Sequence, residues 1–305
     1  MSGLRPTKQN IMADVPSETA EAKPAEELPE ALYHYCGVEA FFGIVKSKEL
    51  WLSNAYFTND YSEHKWALEK ATERFDAAAA HEDPDFSGGL QQLLRGFRVP
   101  PHVACFSSKG DLLSQWRAYS EDADGFAIGF SFESIRKHCV EHAGNGIPVQ
   151  LLQVCYGEKE QDRLLEEAII RCRQRSEEER RSGGDQFRAV VQSFADIWTA
   201  AAICKNHGFH EECEFRIVLM PLLRKDHVTA AVVPDVGTSQ LKFRASKRGI
   251  IPYYTLSFPG DAISEIRLGP KNYARGNVDA LRSLLRTYDY DVDKTKIIPS
   301  EATYQ

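Results

Sequence analysis

The stretch LYHYCGVEAFFGIVKSKELWLSN, residues 32–54, limits the possible folds more than any other part of the chain. Aromatic residues around His34 mark a short first strand. Val38, Phe41, Phe42 and Val45 then recur at helical spacing, and Leu50 to Ser53 alternates as a second strand. A histidine is thus set between Tyr33 and Tyr35, and the unit closes on a small polar pair, Ser53 and Asn54. Either the three elements simply belong to the core, or they hold the two halves of a ligand clamp.

The rest of the chain mixes helices and strands without regular βαβ alternation, which favours an α+β fold of mixed, largely antiparallel sheets with helical insertions. Residues 1–28 carry Pro, Glu, Ala and Ser with almost no aliphatic pattern, so a disordered leader is expected there. Residues 29–305 read as a single domain with helical insertions near 62–98 and 159–204. In the first insertion SEHKWALEKATERFDAAAA has a serine at the N-cap position, HEDPDFSGG reads as a break, and LQQLLRGF as a short helix. In the second, SGGD separates two helices, with Asp185 as a cap and Phe187, Val190, Val191, Phe194, Ile197 and Trp198 on one apolar face. Between the insertions, Gly125 and Gly129 flank or enter a strand, where a missing side chain admits close neighbours. The last third is rich in strands: CEFRIVLM, QLKFRAS, GIIPYYTLSF and ISEIRLG, before a closing helix near NVDALRSLLRTY.

A net charge of −7 argues against general attraction to nucleic acid or to an anionic membrane surface. No apolar run approaches the length of a membrane span, and the first residues lack the charged start, apolar core and small-residue cleavage site by which a signal peptide would be expected. Seven cysteines without regular spacing fit a reducing cytoplasm better than a disulfide framework.

Routine catalytic motifs are absent: there is no phosphate-binding G-x-x-x-x-G-K-[ST] loop, no H-E-x-x-H and no G-x-S-x-G. His207, His210 and Cys213 run at intervals of three, but where helix gives way to strand, and no partner cluster has ligand spacing; no metal is expected. Cys36, Cys105, Cys155 and Cys213 sit in strand-like apolar contexts, where a thiol serves as a small hydrophobe. Two segments carry more. SQWRAYS places Gln115, Trp116, Arg117 and Tyr119 on one helical turn before a glycine-flanked strand. HEECEFRIVLM alternates so that Glu212, Glu214 and Arg216 share one strand face. An Arg–Glu network locking two sheets is the bland account; a carboxylate adjoining so apolar a strand also suggests a functional group.

Five blocks, LYHY…WLSN, CFS…LLSQWRAYS…GFAIGF, E-x-EFR, GIIPYY and ISEIRLGP, resemble in their order a bacterial family of unknown function, over residues 32–270. The unit strand–His–short helix–strand–Ser/Asn, followed much later by a Glu on an E-x-E strand, also resembles the ADP-ribosyltransferase superfamily. That resemblance implies an ADP-ribosyltransferase-like core and an NAD-dependent transfer to a protein or nucleic-acid acceptor, as in a bacterial toxin or phage-defence effector. It makes NAD the substrate and requires no metal. Residue by residue, it implies that His34 holds NAD as an orienting hydrogen-bond donor, with Tyr35, Ser53 and Asn54 beside it and Tyr56 or Phe57 as the stacking ring. Glu214 takes the later catalytic carboxylate and Glu212 the earlier, acceptor-side one. Arg117 or Tyr119 completes the cofactor site, and Trp116 supports it from the core. The middle motif is not the superfamily's clean Ser-Thr-Ser.

His34 and Glu214 are accordingly expected on neighbouring strands facing one cleft, with Ser53 or Asn54 nearby; side chains on opposite sides of a sheet would remove the transferase reading. The contrasting class is a non-catalytic interaction or sensor module with structural Glu/Arg pairs. A third is a nucleic-acid binder using Lys242, Arg244, Lys247 and Arg248 near Phe243. An antitoxin or regulatory partner, a cytoplasmic location and no membrane contact complete the expectations.

Overall fold

A computed structural model describes residues 28–304 apart from 59–60, 79–83, 97–99, 145–148, 226–231, 236–240, 247–248 and 273–276. The expected leader, but for Leu28, lies outside the described residues, as do Lys247 and Arg248. The fold is α+β, built on a mixed, largely antiparallel sheet.

Strand β3 (His102–Ser107) is the hub of that sheet. One edge pairs antiparallel with β6 (Glu214–Leu219) along its whole length, from His102 opposite Leu219 to Ser107 opposite Glu214. The other edge is divided. At Ser107 it meets Tyr33 of β1 (Ala31–Cys36), and at Val103 and His102 it meets Ser53 and Asn54 of β2 (Glu49–Asn54). Between these pairings, residues 104–106 have no strand partner on that edge among the described residues. The sheet therefore forks. One branch runs from β1 through β4 (Phe126–Ser131) and β11 (Ile263–Leu268) to β12 (Lys296–Pro299), the last pair being parallel. The other runs from β2 through β10 (Gly249–Ser257) to β9 (Lys242–Ser246). Strand β5 (Val149–Gln153) covers the far edge of β6, and β7 (Leu222–Lys225) pairs with β8 (Val232–Asp235) as a separate hairpin.

Helix α1 (Val38–Ser47) bridges the fork from β1 to β2. It stops where Lys48 turns left-handed at φ 53°, its N–H returning to the Ile44 carbonyl. Its buried Phe41, Ile44 and Val45 join the main core with Leu32, Leu52, Phe106, Phe215 and Ile217. Helices α5 (Phe132–Gly144) and α8 (Asn277–Thr287) add Ile135, Leu281 and Leu285 to it.

A second core belongs to the helical insertions. Helix α7 (Gln186–Ala202) buries Val190, Val191, Phe194, Ile197 and Trp198 against α2 (Tyr61–Ala78), α3 (Pro84–Gly96) and α6 (Glu158–Ser182). Asp185 caps it as expected, accepting the Phe187 N–H at 3.0 Å. Two local expectations are corrected. Helix α2 starts at Tyr61, so Ser62 lies inside it. Helix α3 starts at Pro84 and runs through the SGG read as part of a break, because Phe86 and Leu90 are fully buried on it and Gly89 lies close under Val190. Burial outweighs the glycine penalty of about 1 kcal/mol per residue.

Candidate functional site

The fork opens a cleft of about 560 Å³ lined by residues of both branches, α1 and the turn before β6. His34 sits in the gap itself. It tilts against the Phe106 ring, with centroids 5.7 Å apart, and its Nδ1 lies 2.9 Å from the Cys105 carbonyl on the unpaired edge of β3. A carbonyl only accepts, so the proton is on Nδ1. Burial lowers the ring's pKa, outweighing that bond, and the ring is neutral at pH 7. Nε2 is then an acceptor, suited to a ligand hydroxyl, and not the orienting donor expected of this ring.

Glu214 opens β6 and is 4% exposed. The fully buried Arg216 grips it twice, Nε to Oε1 at 2.7 Å and Nη2 to Oε2 at 2.9 Å. Lys205, also buried, donates to Glu214 Oε2 at 2.9 Å and to Glu212 Oε2 at 2.6 Å. Burial alone would raise the Glu214 pKa, but Arg216 and then Lys205 outweigh it and bring the carboxyl down to about 2. Among the described residues, two carboxylates and two cations make the cluster formally neutral, and Glu214 stays ionised. Arg216 also donates to the Ala202 carbonyl at 2.6 Å, tying the cluster to the end of α7.

Glu212 does not continue the alternation of β6. It ends a 3-10 turn, His207–Glu212, and Cys213 follows in a left-handed conformation at φ 44°. Cys213 is therefore part of a turn and not of a strand. The Ser107 hydroxyl donates to the Glu212 carbonyl at 2.6 Å, and the Ser108 N–H to that of Cys213 at 3.0 Å, so the turn is fixed to β3. Both carboxylate residues border the cleft from this side.

The strand expectation for His34 and Glu214 needs correcting. Strands β1 and β6 flank β3 and do not adjoin each other. Counted through β3, Tyr33, Ser107 and Glu214 share one face, whereas His34 shares the other with Phe106 and Phe215. In an unbroken sheet this would separate them. Here the fork interrupts the sheet, and both residues border the same cleft.

Of the remaining expected residues, Tyr35, Ser53, Phe57 and Tyr119 line the cleft. The Tyr35 hydroxyl donates to the Lys109 carbonyl at 2.8 Å and accepts the Leu112 N–H at 3.0 Å, so it also anchors the loop before α4 (Leu113–Tyr119). Trp116 is fully buried, edge-on to Tyr35 at 4.9 Å and bonded to Asp111. Three residues lie elsewhere. Asn54 is turned to cap the short helix after β2, accepting the Tyr56 N–H at 3.0 Å. Tyr56 packs on Trp198 of the second core. Arg117 is exposed, beside Asp122 and over the Tyr304 ring. Each follows from local geometry: a capping side chain cannot reach outward, and alternate positions of a helical turn point apart.

Sequence reasoning did not assign four contributors to this cleft. Gln115, buried, and Arg244, half-buried, line the cleft with Trp51, and Lys205 holds the carboxylates from behind. A lysine directly after the apolar end of α7 was a readable signal; Arg244 was masked by its basic neighbours. Among the described residues no group of three or more His, Cys, Asp or Glu is placed to hold a metal, and His207 and His210 merely stack at 4.9 Å. No helix among them is long and apolar enough to cross a membrane.

No curated protein and no solved structure matches the chain. One family model, described as a protein of unknown function (DUF2971), matches residues 115–217, from Gln115 in α4 to Ile217 in β6. The match takes in the GFAIGF strand and the ECEFRI segment, and stops short of the His34 unit, so the chain is similar over this span to a family whose description assigns no activity.

Proposed function

We propose that the protein is an ADP-ribosyltransferase that cleaves NAD and transfers ADP-ribose to a macromolecular acceptor, protein or nucleic acid, in the manner of a toxin or phage-defence effector. One observation carries the reading: the forked sheet opens a single cleft onto His34, Ser53, Tyr119 and the Glu212/Glu214 pair. In this scheme His34 Nε2 accepts from a ribose hydroxyl. Breaking the nicotinamide–ribose bond leaves positive charge on the ribose carbon, which a fixed carboxylate stabilises. Glu214 supplies the fixed charge, and Glu212, whose side chain is the more exposed at 12% against 6%, takes the proton of the acceptor nucleophile. An antitoxin or regulatory partner would act by closing the cleft mouth.

A second reading, a non-catalytic interaction module, is favoured by the engagement of both Glu214 oxygens with Arg216 and Lys205, which is what a structural pair requires. Incubation of the purified protein with NAD labelled in its adenylate, with and without cell lysate, separates the two. Released nicotinamide with label in protein or nucleic acid is the expected result. Free ADP-ribose alone would reduce the activity to a glycohydrolase, and no turnover in either condition would favour the module.

A further inference from the structure

We infer that Arg244 is the docking point for a phosphate group of the cleft's ligand, which makes that ligand a nucleoside diphosphate or a molecule containing one. The proposal rests on reading this cleft as a ligand site, but not on NAD being cleaved there.

Arg244 is half-buried on β9 and lines the cleft. Its Nη2 donates to Ser53 Oγ at 3.1 Å, and its guanidinium lies over the Trp51 ring, 5.5 Å from the centroid. Trp51 is stacked in turn on Tyr253, at 4.6 Å. The stack holds the planar guanidinium at one edge of the cleft. Nε is buried and has no hydrogen-bond partner among the described residues. No carboxylate pairs with Arg244 among the described residues: Glu212 and Glu214 are matched to Lys205 and Arg216, and Glu49 lies nearest Lys242. Burial lowers its pKa, with only Tyr253 acting in the opposite sense. A half-buried cation that shares its cleft with a neutral ion cluster, and keeps a buried donor unmet, is arranged to meet an anion from outside.

The surroundings narrow the anion's class. A fork of guanidinium donors matches the oxygens of a phosphate. Arg244 and His34 line the same cleft, so phosphate and hydroxyl recognition fall within one ligand's reach. Tyr119, Phe57 and the Gln115 amide, also in the cleft, supply flat apolar surface and a hydrogen-bonding group for a ring. Phosphate, hydroxyls and ring together describe a nucleotide.

The test uses ADP and adenosine as probes in calorimetric titrations of the full-length protein. Wild type is expected to bind ADP more tightly than adenosine. Arg244→Gln should weaken ADP binding about ten- to a hundredfold, the loss of charge-assisted hydrogen bonds, and leave adenosine binding unchanged. Arg244→Lys, which keeps the charge and loses the fork, should fall between them. The melting temperature should not move, since Arg244 makes one side-chain hydrogen bond in the described structure, to Ser53. Equal ADP affinity in wild type and Arg244→Gln, or no ADP binding by wild type, overturns the proposal. Nicotinamide release measured alongside keeps the readings apart. ADP binding lost in Arg244→Gln without NAD cleavage by wild type supports the phosphate site and removes the transferase; NAD cleavage undiminished in Arg244→Gln does the reverse.

Discussion

Glu214 joins the two candidate roles in one side chain, and its environment fixes what its removal should do. Glu214→Gln keeps the shape but leaves the buried Arg216 and Lys205 without their shared anion. Breaking a buried pair from one side costs about 3–5 kcal/mol, so chemical denaturation should show a loss of that size. The pH dependence follows from the carboxyl's lowered pKa of about 2. The folded state holds the ionised form more strongly than the unfolded chain, whose glutamate titrates near about 4.3. Stability from Glu214 is therefore complete above that value and lost as pH falls towards 2. The stability gap between wild type and Glu214→Gln should narrow over the same interval; a constant gap would mean that the carboxylate's charge contributes nothing. His34 makes the companion case at neutral pH. With Nδ1 bonded to Cys105 and its pKa lowered by burial, nitrogen NMR should find a neutral ring protonated on Nδ1 at pH 6.5 and above.

At the scale of elements, the join of β1 to β4 depends on a missing side chain. A Cβ on Gly125 would lie 2.3 Å from the Cys36 carbonyl oxygen, a backbone atom that cannot swing away. Gly125→Ala should push the strand pair apart and lower stability by about 1–3 kcal/mol, read by thermal melting; an unchanged melting temperature would show that the loop before β4 simply shifts. That glycine was legible in the sequence because it flanks an apolar strand. The strand of CEFRIVLM was legible too, since Phe215, Ile217 and Leu219 alternate into the core. Glu212 was misplaced on the same strand because nothing in the alternation announces the left-handed Cys213. The hairpin of β7 and β8 and the short parallel β12 gave too little periodicity to be read. The fork itself was beyond reach: it arises because β3 divides one edge between Tyr33 and Ser53, a choice made by long-range pairing. For the same reason Ser53 could be placed near His34 by its motif, whereas Arg244, arriving on the last branch, could not.

The whole molecule is arranged so that its two cores stabilise the fold while the gap between the sheet branches stays open, and this allows binding to be separated from stability. Gly43 lies on α1 and borders the cleft, and a Cβ built on it would meet nothing within 4 Å. Gly43→Leu therefore puts a branched side chain into open space without displacing the core. Leucine in place of glycine should also favour the helix by about 0.5–1 kcal/mol. The expected variant melts at or above the wild-type temperature, and loses both ADP binding and nicotinamide release because the ligand's volume is occupied. Substitution of Glu214 gives no such separation, since Glu214 and Arg216 also hold β6 to α7. If Gly43→Leu binds ADP and cleaves NAD as wild type does, whatever chemistry the protein performs lies outside this cleft. If it fails to bind while melting normally, the space between β1 and β2 is the site, and the division of β3's edge is the structural feature that creates it.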